Sequence, residues 1–363
     1  MNNDRLKLVS MTLNVGIVGA GLVGSAFIKQ LNAVADKFGI SVVLIARSSK
    51  TIVSKDYSAL SLDNVDFSSA TENGWSPAQI AEFLANSPKP AVLVDNTSNE
   101  ALAQSYPEFL AKNISVVTPN KKAFSSSLDL WSKLFDSSNK ALVYHEATVG
   151  AGLPVISTLN DLVATGDKIH KIEGILSGTL SYIFNEFGSS DVAFSQVVSK
   201  AKELGYTEPD PREDLNGLDV ARKVTILSRL AGNLVDGPTS FPVESLIPKP
   251  LEGVASVDEF MAKLPDFDGE MAKLRDSAKA EGKVLRFVGK VDLTGTPAVK
   301  VGVEKYDASH PFAALKGSDN VISFTTDRYT SPLIVQGAGA GDAVTAMGVL
   351  ADLIKVAQRG GHK

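Results

Sequence analysis

Asp219 and Lys223 stand four residues apart, and their neighbours make them the most informative charges in the chain. Residues 207–214, Thr-Glu-Pro-Asp-Pro-Arg-Glu-Asp, read as a helix start. Asp210 can cap, Pro211 suits the first helical position, and Glu213 completes a capping-box spacing. The pattern predicts that the helix runs on through 215–231. On a wheel advancing ~100° per residue, Val220, Ile226, Leu227 and Leu230 fall within ~60° of Lys223, and Asp219 lies ~40° away in the same apolar face. Arg222 and Arg229 fall ~100–120° away, where solvated charges belong. A surface i,i+4 pair would put both charges on the polar face. Buried charges are costly unless paired or used, so the pattern points to a functional pair, with a structural buried pair or a misread helix as the alternatives. An unperturbed lysine titrates near ~10.4; Asp219 would hold this one charged, while burial would push the other way.

Five other places carry chemistry. Gly19-Ala20-Gly21-Leu22-Val23-Gly24 matches G-x-G-x-x-G between a strand and a helix. There the first glycine permits the tight turn, the second lets backbone approach a pyrophosphate, and the third lets helix and strand pack closely. A glycine turn that binds nothing is the alternative. Arg47 follows the second strand, where a carboxylate for the adenine ribose is usual, and suits the 2′-phosphate of NADP, with NAD also accepted; a solvated basic loop is the alternative. Asp95-Asn96-Thr97-Ser98 ends the next parallel strand, where polar side chains would reach ribose or nicotinamide. Thr118-Pro119-Asn120-Lys121-Lys122 ends another, and Ser177-Gly178-Thr179 opens a helix, a ready anion site. Taken singly, each of the last two also reads as an ordinary loop or cap.

The elements that must position these residues fall into two regions. Apolar runs at 13–18, 41–46, 91–95, 114–118 and 142–145 alternate with helical spacing, which implies a doubly wound Rossmann-type parallel sheet over residues 1–147. The Gly-rich stretch 146–154 marks a boundary. Residues 148–340 then form an α+β substrate-binding and dimerisation domain. It holds a strand–turn–helix at 171–187, the long helix after Pro211, and strand runs at 284–293, 298–306, 322–327 and 332–336 in a mixed or antiparallel sheet. The helix in 337–358 should return, so that 341–363 completes the first domain.

Composition narrows the function further. The 363 residues carry 36 Lys and Arg against 41 Asp and Glu, a net −5, which gives no footprint for nucleic acid or an anionic membrane. No cysteine is present, which removes disulfides, zinc–thiolate sites and thiol nucleophiles. The four histidines, His145, His170, His310 and His362, include no i,i+4 metal pair. With no apolar run long enough to span a bilayer and no leader-like h-region, the chain is expected in the cytoplasm.

Together these motifs strongly resemble the homoserine dehydrogenase family. The stretch AKELGYTEPDPREDLNGLDVARK at 201–223 matches its signature throughout, including Gly205, Glu208, Pro209, Asp214, Gly217, Asp219 and Lys223. TPNKKAF (118–124), EATVGAGLP (146–154) and GILSGTLSYIFN (174–185) match as well, in the family's order. The resemblance covers essentially the whole chain and is to the short form, without kinase or regulatory domain. It implies reversible NAD(P)-dependent interconversion of L-aspartate 4-semialdehyde and L-homoserine, on the route to threonine and methionine. It also implies roles. Lys223 would donate or accept the proton, partnered by Asp219. Glu208 would bind the substrate amine with Asp214 nearby, and Lys121 would sit at substrate and nicotinamide. Gly178, Thr179 and Tyr206 would shape the substrate pocket. Gly19, Ala20, Gly21, Val23, Gly24, Gly205 and Gly341 would contact the cofactor. A monovalent cation, sodium or potassium, would be held by Glu146 and the main-chain oxygens of Val149, Ala151 and Leu153; oxygen-only ligation suits a hard cation. The family dimerises through the second domain, where open strand edges also call for a partner.

Competing readings fail on residues. Aldehyde oxidation of the aspartate-semialdehyde dehydrogenase kind needs a thiol, and none of the seven tyrosines has the Lys at +4 of short-chain dehydrogenases. A catalytically silent NADP-binding sensor of the same fold is the alternative that would keep the glycine turn without needing Glu208, Asp219 and Lys223 together.

Overall fold

The computed structural model describes residues 12–70 and 72–359; the stretch 1–11, part of the segment searched for a leader, and His362 lie outside them. The described residues form twelve strands: β1 (Leu13–Val18), β2 (Ile40–Ala46), β3 (Lys50–Val53), β4 (Glu72–Asn73), β5 (Ala91–Asp95), β6 (Ser115–Val117), β7 (Val143–Tyr144), β8 (Ile169–Ile175), β9 (Lys283–Asp292), β10 (Ala298–Asp307), β11 (Asn320–Thr326) and β12 (Leu333–Gly337). Two compact units result, one of residues 1–152 with 341–363, the other of 153–340. The break thus falls after Gly152 rather than after residue 147.

The first unit is built on a seven-stranded sheet of order β4-β3-β2-β1-β5-β6-β7. Strands β1, β2 and β5 are near-continuous apolar runs because helices cover both faces of the parallel part. After β2 the chain does not cross over. Arg47–Lys50 is far too short for a crossover of about a dozen residues. The Arg47 amide bonds the Lys50 carbonyl (2.8 Å), and β3 returns antiparallel to β2, followed by antiparallel β4. Helix Asp342–Arg359 belongs to this unit: Ala346, Val349, Leu353 and Val356 join Val15, Ile17, Phe27 and Leu31 in one buried cluster.

In the second unit all five strands, β10-β9-β8-β11-β12, pair antiparallel. Helix Leu218–Leu230 packs against this sheet at Gly289, where an added Cβ would stand 2.3 Å from Val224 Cγ2. The helix predicted to run unbroken from Pro211 to residue 231 is two helices, Arg212–Leu215 and Leu218–Leu230. Gly217 interrupts it in the left-handed region (φ 73°), and Asn216 Oδ1 accepts from the Leu218 amide (2.8 Å). The capping box at Glu213 does not form. Asp210 instead takes the Arg212 amide (3.0 Å) and its guanidinium (2.7 Å to Nη2). Arg229, expected in solvent, is buried. The chain folds back after Gly232, so that the carbonyls of Val235 and Asp236 replace water on its guanidinium at 3.1 and 3.0 Å, and burial lowers its pKa to about 10.

Candidate active site

The helix break matters for the charged pair. It places Asp219 in the first turn of helix Leu218–Leu230, where the helix dipole favours a carboxylate. Lys223, one turn on, is buried (side chain 10% exposed), whereas Asp219 is 46% exposed. The Lys223 ammonium donates to the Leu176 carbonyl (2.6 Å) and pairs with Asp219 Oδ2 (2.8 Å). Leu176 follows β8 directly and precedes helix Gly178–Ser189, which Ser177 caps by accepting from the Leu180 amide. One strand end therefore fixes both the lysine and a helix N-terminus. Gly178 is closely packed: an added Cβ would sit 3.1 Å from the Ser318 carbonyl oxygen.

Around that N-terminus the carboxylates gather. Thr179 Oγ1 lies 2.9 Å from Asp214 Oδ1 and 2.5 Å from the Tyr206 carbonyl, and Asp214 Oδ2 accepts the Glu208 amide (2.8 Å). Asp214 is held above the usual carboxylate pKa, first by burial and then by the negative charges of Glu208 and Asp219. Glu208 itself is exposed. Tyr206 stacks on Tyr182 with ring centroids 4.6 Å apart. Gly205 adopts φ 75° in the turn that ends helix Phe194–Glu203, a backbone reason for glycine there. The second unit thus offers a buried ammonium, a helix N-terminus and three acidic groups, a set suited to a small zwitterion with a reacting oxygen.

The first unit carries the glycine turn. Gly19 takes φ 94°, and Gly24 lies so close beneath it that an added Cβ would stand 1.9 Å from the Gly19 carbonyl oxygen. Gly21 differs: nothing lies within 4 Å of an added Cβ, so the backbone at the N-terminus of helix Leu22–Asn32 is open to a ligand. Arg47 reaches back across this turn, its Nη2 donating to the Ala20 carbonyl (2.9 Å) and its guanidinium 4.5 Å above the Phe67 ring. Asn96 lies on the far side of the turn, close to Gly19 and Gly24, and both polar atoms of its amide are buried with no protein partner. An orphaned amide beside an open glycine cradle fits a dinucleotide. Thr97 and Ser98 follow, and Lys121 caps the short helix Lys122–Ser125 just after β6.

The stretch expected to hold a cation runs from Glu146 to Leu153. Glu146 is buried, and its backbone amide donates to Asp352 Oδ2 (2.8 Å) from helix Asp342–Arg359. Lys355 stands 3.8 Å from the Glu146 carboxylate. Gly150 and Ala151 both adopt positive φ (77° and 53°), a tight curl before Gly152. The Leu153 carbonyl accepts from Val155 (2.9 Å). Among the described residues no three His, Asp or Glu side chains cluster as a metal site.

Comparison with known proteins decides the family. A family model described as homoserine dehydrogenase matches residues 154–354, and one described as homoserine dehydrogenase, NAD binding domain, matches 19–146. The homoserine dehydrogenase of Saccharomyces cerevisiae is 56% identical over 96% of this chain and 98% of its own length. The chain belongs to the homoserine dehydrogenase family.

Other homoserine dehydrogenases bracket it. That of Paracoccidioides brasiliensis is 54% identical over 96% of this chain and 98% of its own. The bifunctional aspartokinase/homoserine dehydrogenase 1 of Arabidopsis thaliana matches 98% of this chain but only 40% of its own length, so this chain corresponds to the dehydrogenase part. A solved structure from Candida auris, titled as of unknown function, superimposes with TM-score 0.92 at 54% identity, covering 96% of this chain and 99% of that one. A hyperthermophilic archaeal homoserine dehydrogenase, solved with NADPH, shares the fold (TM-score 0.73, 24% identity, 96% and 98% covered). The chain is a catalytic oxidoreductase of the NAD(P)-binding kind, and its reading as a silent sensor falls. No helix among the described residues is long and apolar enough to cross a membrane.

One linkage was not foreseen, that of Tyr106 to strand-end residues already singled out. Asp95, Tyr106, Thr118 and Asn120 form a buried polar cluster at the ends of β5 and β6. The only sequence signal was a carboxylate and an amide at successive strand ends.

Proposed function

We propose that the enzyme interconverts L-aspartate 4-semialdehyde and L-homoserine. The observation that carries this reading is the buried Lys223 ammonium, paired with Asp219 and pinned to the strand end that opens helix Gly178–Ser189. In reduction, negative charge develops on the aldehyde oxygen and requires a cation and a proton, both of which a lysine ammonium supplies. In homoserine oxidation the same nitrogen, deprotonated, takes the hydroxyl proton. Glu208 and Asp214 hold the substrate ammonium. The helix N-terminus at Gly178 and Thr179, with Lys121, suits its carboxylate. A bound nicotinamide dinucleotide gives or takes the hydride, and the chain supplies placement and electrostatics. Glu208→Gln tests the arrangement: KM for homoserine should rise about tenfold or more, as expected for a lost charge-assisted contact, with NADPH affinity unchanged. An unchanged KM would remove Glu208 from the site.

Arg47 beside the glycine turn supports a preference for NADP over NAD, because a guanidinium complements the 2′-phosphate. Glu146 and the carbonyls of Val149, Ala151 and Leu153 are proposed to hold a sodium or potassium ion; the buried carboxylate and the curl at Gly150 and Ala151 favour this. The enzyme is proposed to be a C₂ homodimer joined through the second unit. Segment 242–244 bonds the outer edge of β10, while β12 ends the sheet on the other side, and such an edge calls for cover. Homoserine made here would feed threonine and methionine synthesis. The cysteine-free composition fits a reducing compartment, taken to be the cytoplasm.

A further inference from the structure

The role assignments above use none of the four polar side chains buried together at the ends of β5 and β6. Asp95 accepts hydrogen bonds from the Tyr106 hydroxyl (2.5 Å), the Thr97 amide (2.7 Å) and Asn120 Nδ2 (3.1 Å). Its main-chain carbonyl accepts from Thr118 Oγ1 (2.8 Å), and that oxygen in turn accepts the Asn120 amide (2.9 Å) and stands 3.1 Å from the Tyr106 hydroxyl. Asn120 extends the chain of bonds, donating to the Asn99 carbonyl (3.0 Å) and accepting from the Lys122 amide (3.1 Å). Asp95 and Tyr106 are wholly buried.

The direction of these bonds is informative. They run back and forth between two loops, 95–99 and 118–122, and Tyr106 braces both from the helix behind them. Burial pushes the Asp95 carboxyl above its usual range, so the group is costly where it stands. Apolar packing would fill the same space at lower cost. A fully satisfied polar network in low dielectric fixes geometry more tightly than apolar contacts do. The residues fixed are the flanks of Asn96 and of Lys121.

We infer that Asp95 and Tyr106 are positioning residues that lock the loop carrying Asn96, Thr97 and Ser98 to the loop carrying Lys121, so that both present their groups in one fixed relation. This rests on the reading that Asn96 and Lys121 meet cofactor and substrate.

The test uses full-length enzyme. Tyr106→Phe removes only the hydroxyl, and Thr118→Val cuts the same bridge from the other loop. For each, NADPH affinity, kcat and KM for homoserine are measured with the folded fraction known from circular dichroism. kcat should fall about tenfold in either variant, since small misplacements near reacting groups are amplified in rate. KM for homoserine should hold, and the double variant should be little worse than the worse single one, because both cut one bridge. Lower melting temperatures with unchanged kcat and NADPH affinity would overturn the inference and leave the cluster a stabilising one. If Tyr106→Phe fails to fold, Thr118→Val decides alone. Asn96→Ala and Lys121→Ala serve as the control on the underlying reading. If neither alters NADPH affinity or kcat, that reading fails and the inference falls with it.

Discussion

Replacing Lys223 separates packing from chemistry. Lys223→Met keeps the unbranched stem in its buried channel but removes the ammonium; Lys223→Ala removes both. In either variant the Leu176 carbonyl loses its 2.6 Å donor, a loss of about 1–3 kcal/mol for a buried acceptor. Asp219 loses its partner too, but at 46% exposure water replaces the lysine, and that part is worth about 1 kcal/mol or less. Truncation to alanine adds about 0.8 kcal/mol for each buried methylene lost. Lys223→Ala should therefore melt below Lys223→Met, which in turn melts several degrees below the parent. Turnover should not follow that order. Both variants lose the proposed proton donor, so kcat should fall ~10²-fold or more in both alike. NADPH affinity should be unchanged, because the glycine turn is untouched. Steady-state NADPH absorbance, cofactor titration and thermal melts measure the three quantities. Near-normal kcat in a folded Lys223→Met enzyme would refute the reasoning and make Lys121 the better candidate for the proton donor.

Further perturbations probe other parts of the account. Gly21→Ala should leave the melting temperature almost unchanged, because its methyl meets nothing in the protein, yet weaken NADPH binding about tenfold or more by filling the cradle. Gly24→Ala, clashing with the Gly19 carbonyl oxygen at 1.9 Å, should instead destabilise the first unit, seen as a lower melting temperature without cofactor. Arg47→Asp should raise KM for NADPH more than KM for NADH, since it sets a like charge beside the 2′-phosphate; equal effects would make Arg47 a loop residue only. Asp214, whose pKa is raised in the fold, favours its protonated form there, so its contribution to stability is full below the unfolded carboxylate pKa near ~4 and is lost as pH rises through the folded value. The melting temperature of Asp214→Asn relative to the parent should accordingly be higher at pH ~7 than at pH ~4; a flat difference would show that Asp214 is not perturbed. Light scattering at micromolar concentration should give a dimer mass, and a monomer mass would contradict the assembly.

What the sequence made legible was local. The Gly19–Gly24 turn could be read because its glycine spacing falls between an apolar run and a helical pattern, and the apolar runs gave β1, β2 and β5 directly. Lys223 could be read because a charge inside an apolar helical face stands out over two turns. What escaped depended on partners distant in sequence. Arg229 looked solvent-facing by wheel angle, but the carbonyls that bury it come from a turn beyond Gly232. Gly217 looked tolerable inside a helix, yet it sits against the Phe287 ring and the Glu244 carbonyl, and left-handed backbone there resets the helix before Asp219. The antiparallel return of β3 hung on a turn at Arg47 that had been read only for its charge. Tyr106 meets Asp95 and Thr118 from 11 and 12 residues away, separations with no periodic signature.

The central claim is that this chain turns over a small zwitterionic aldehyde with a nicotinamide dinucleotide rather than merely binding the cofactor. The most direct measurement is NADPH consumption by the purified enzyme on addition of L-aspartate 4-semialdehyde, with homoserine quantified at the end point. The account predicts catalytic loss of NADPH matched one for one by homoserine. Saturable NADPH binding with no loss of NADPH in the presence of the aldehyde would contradict it.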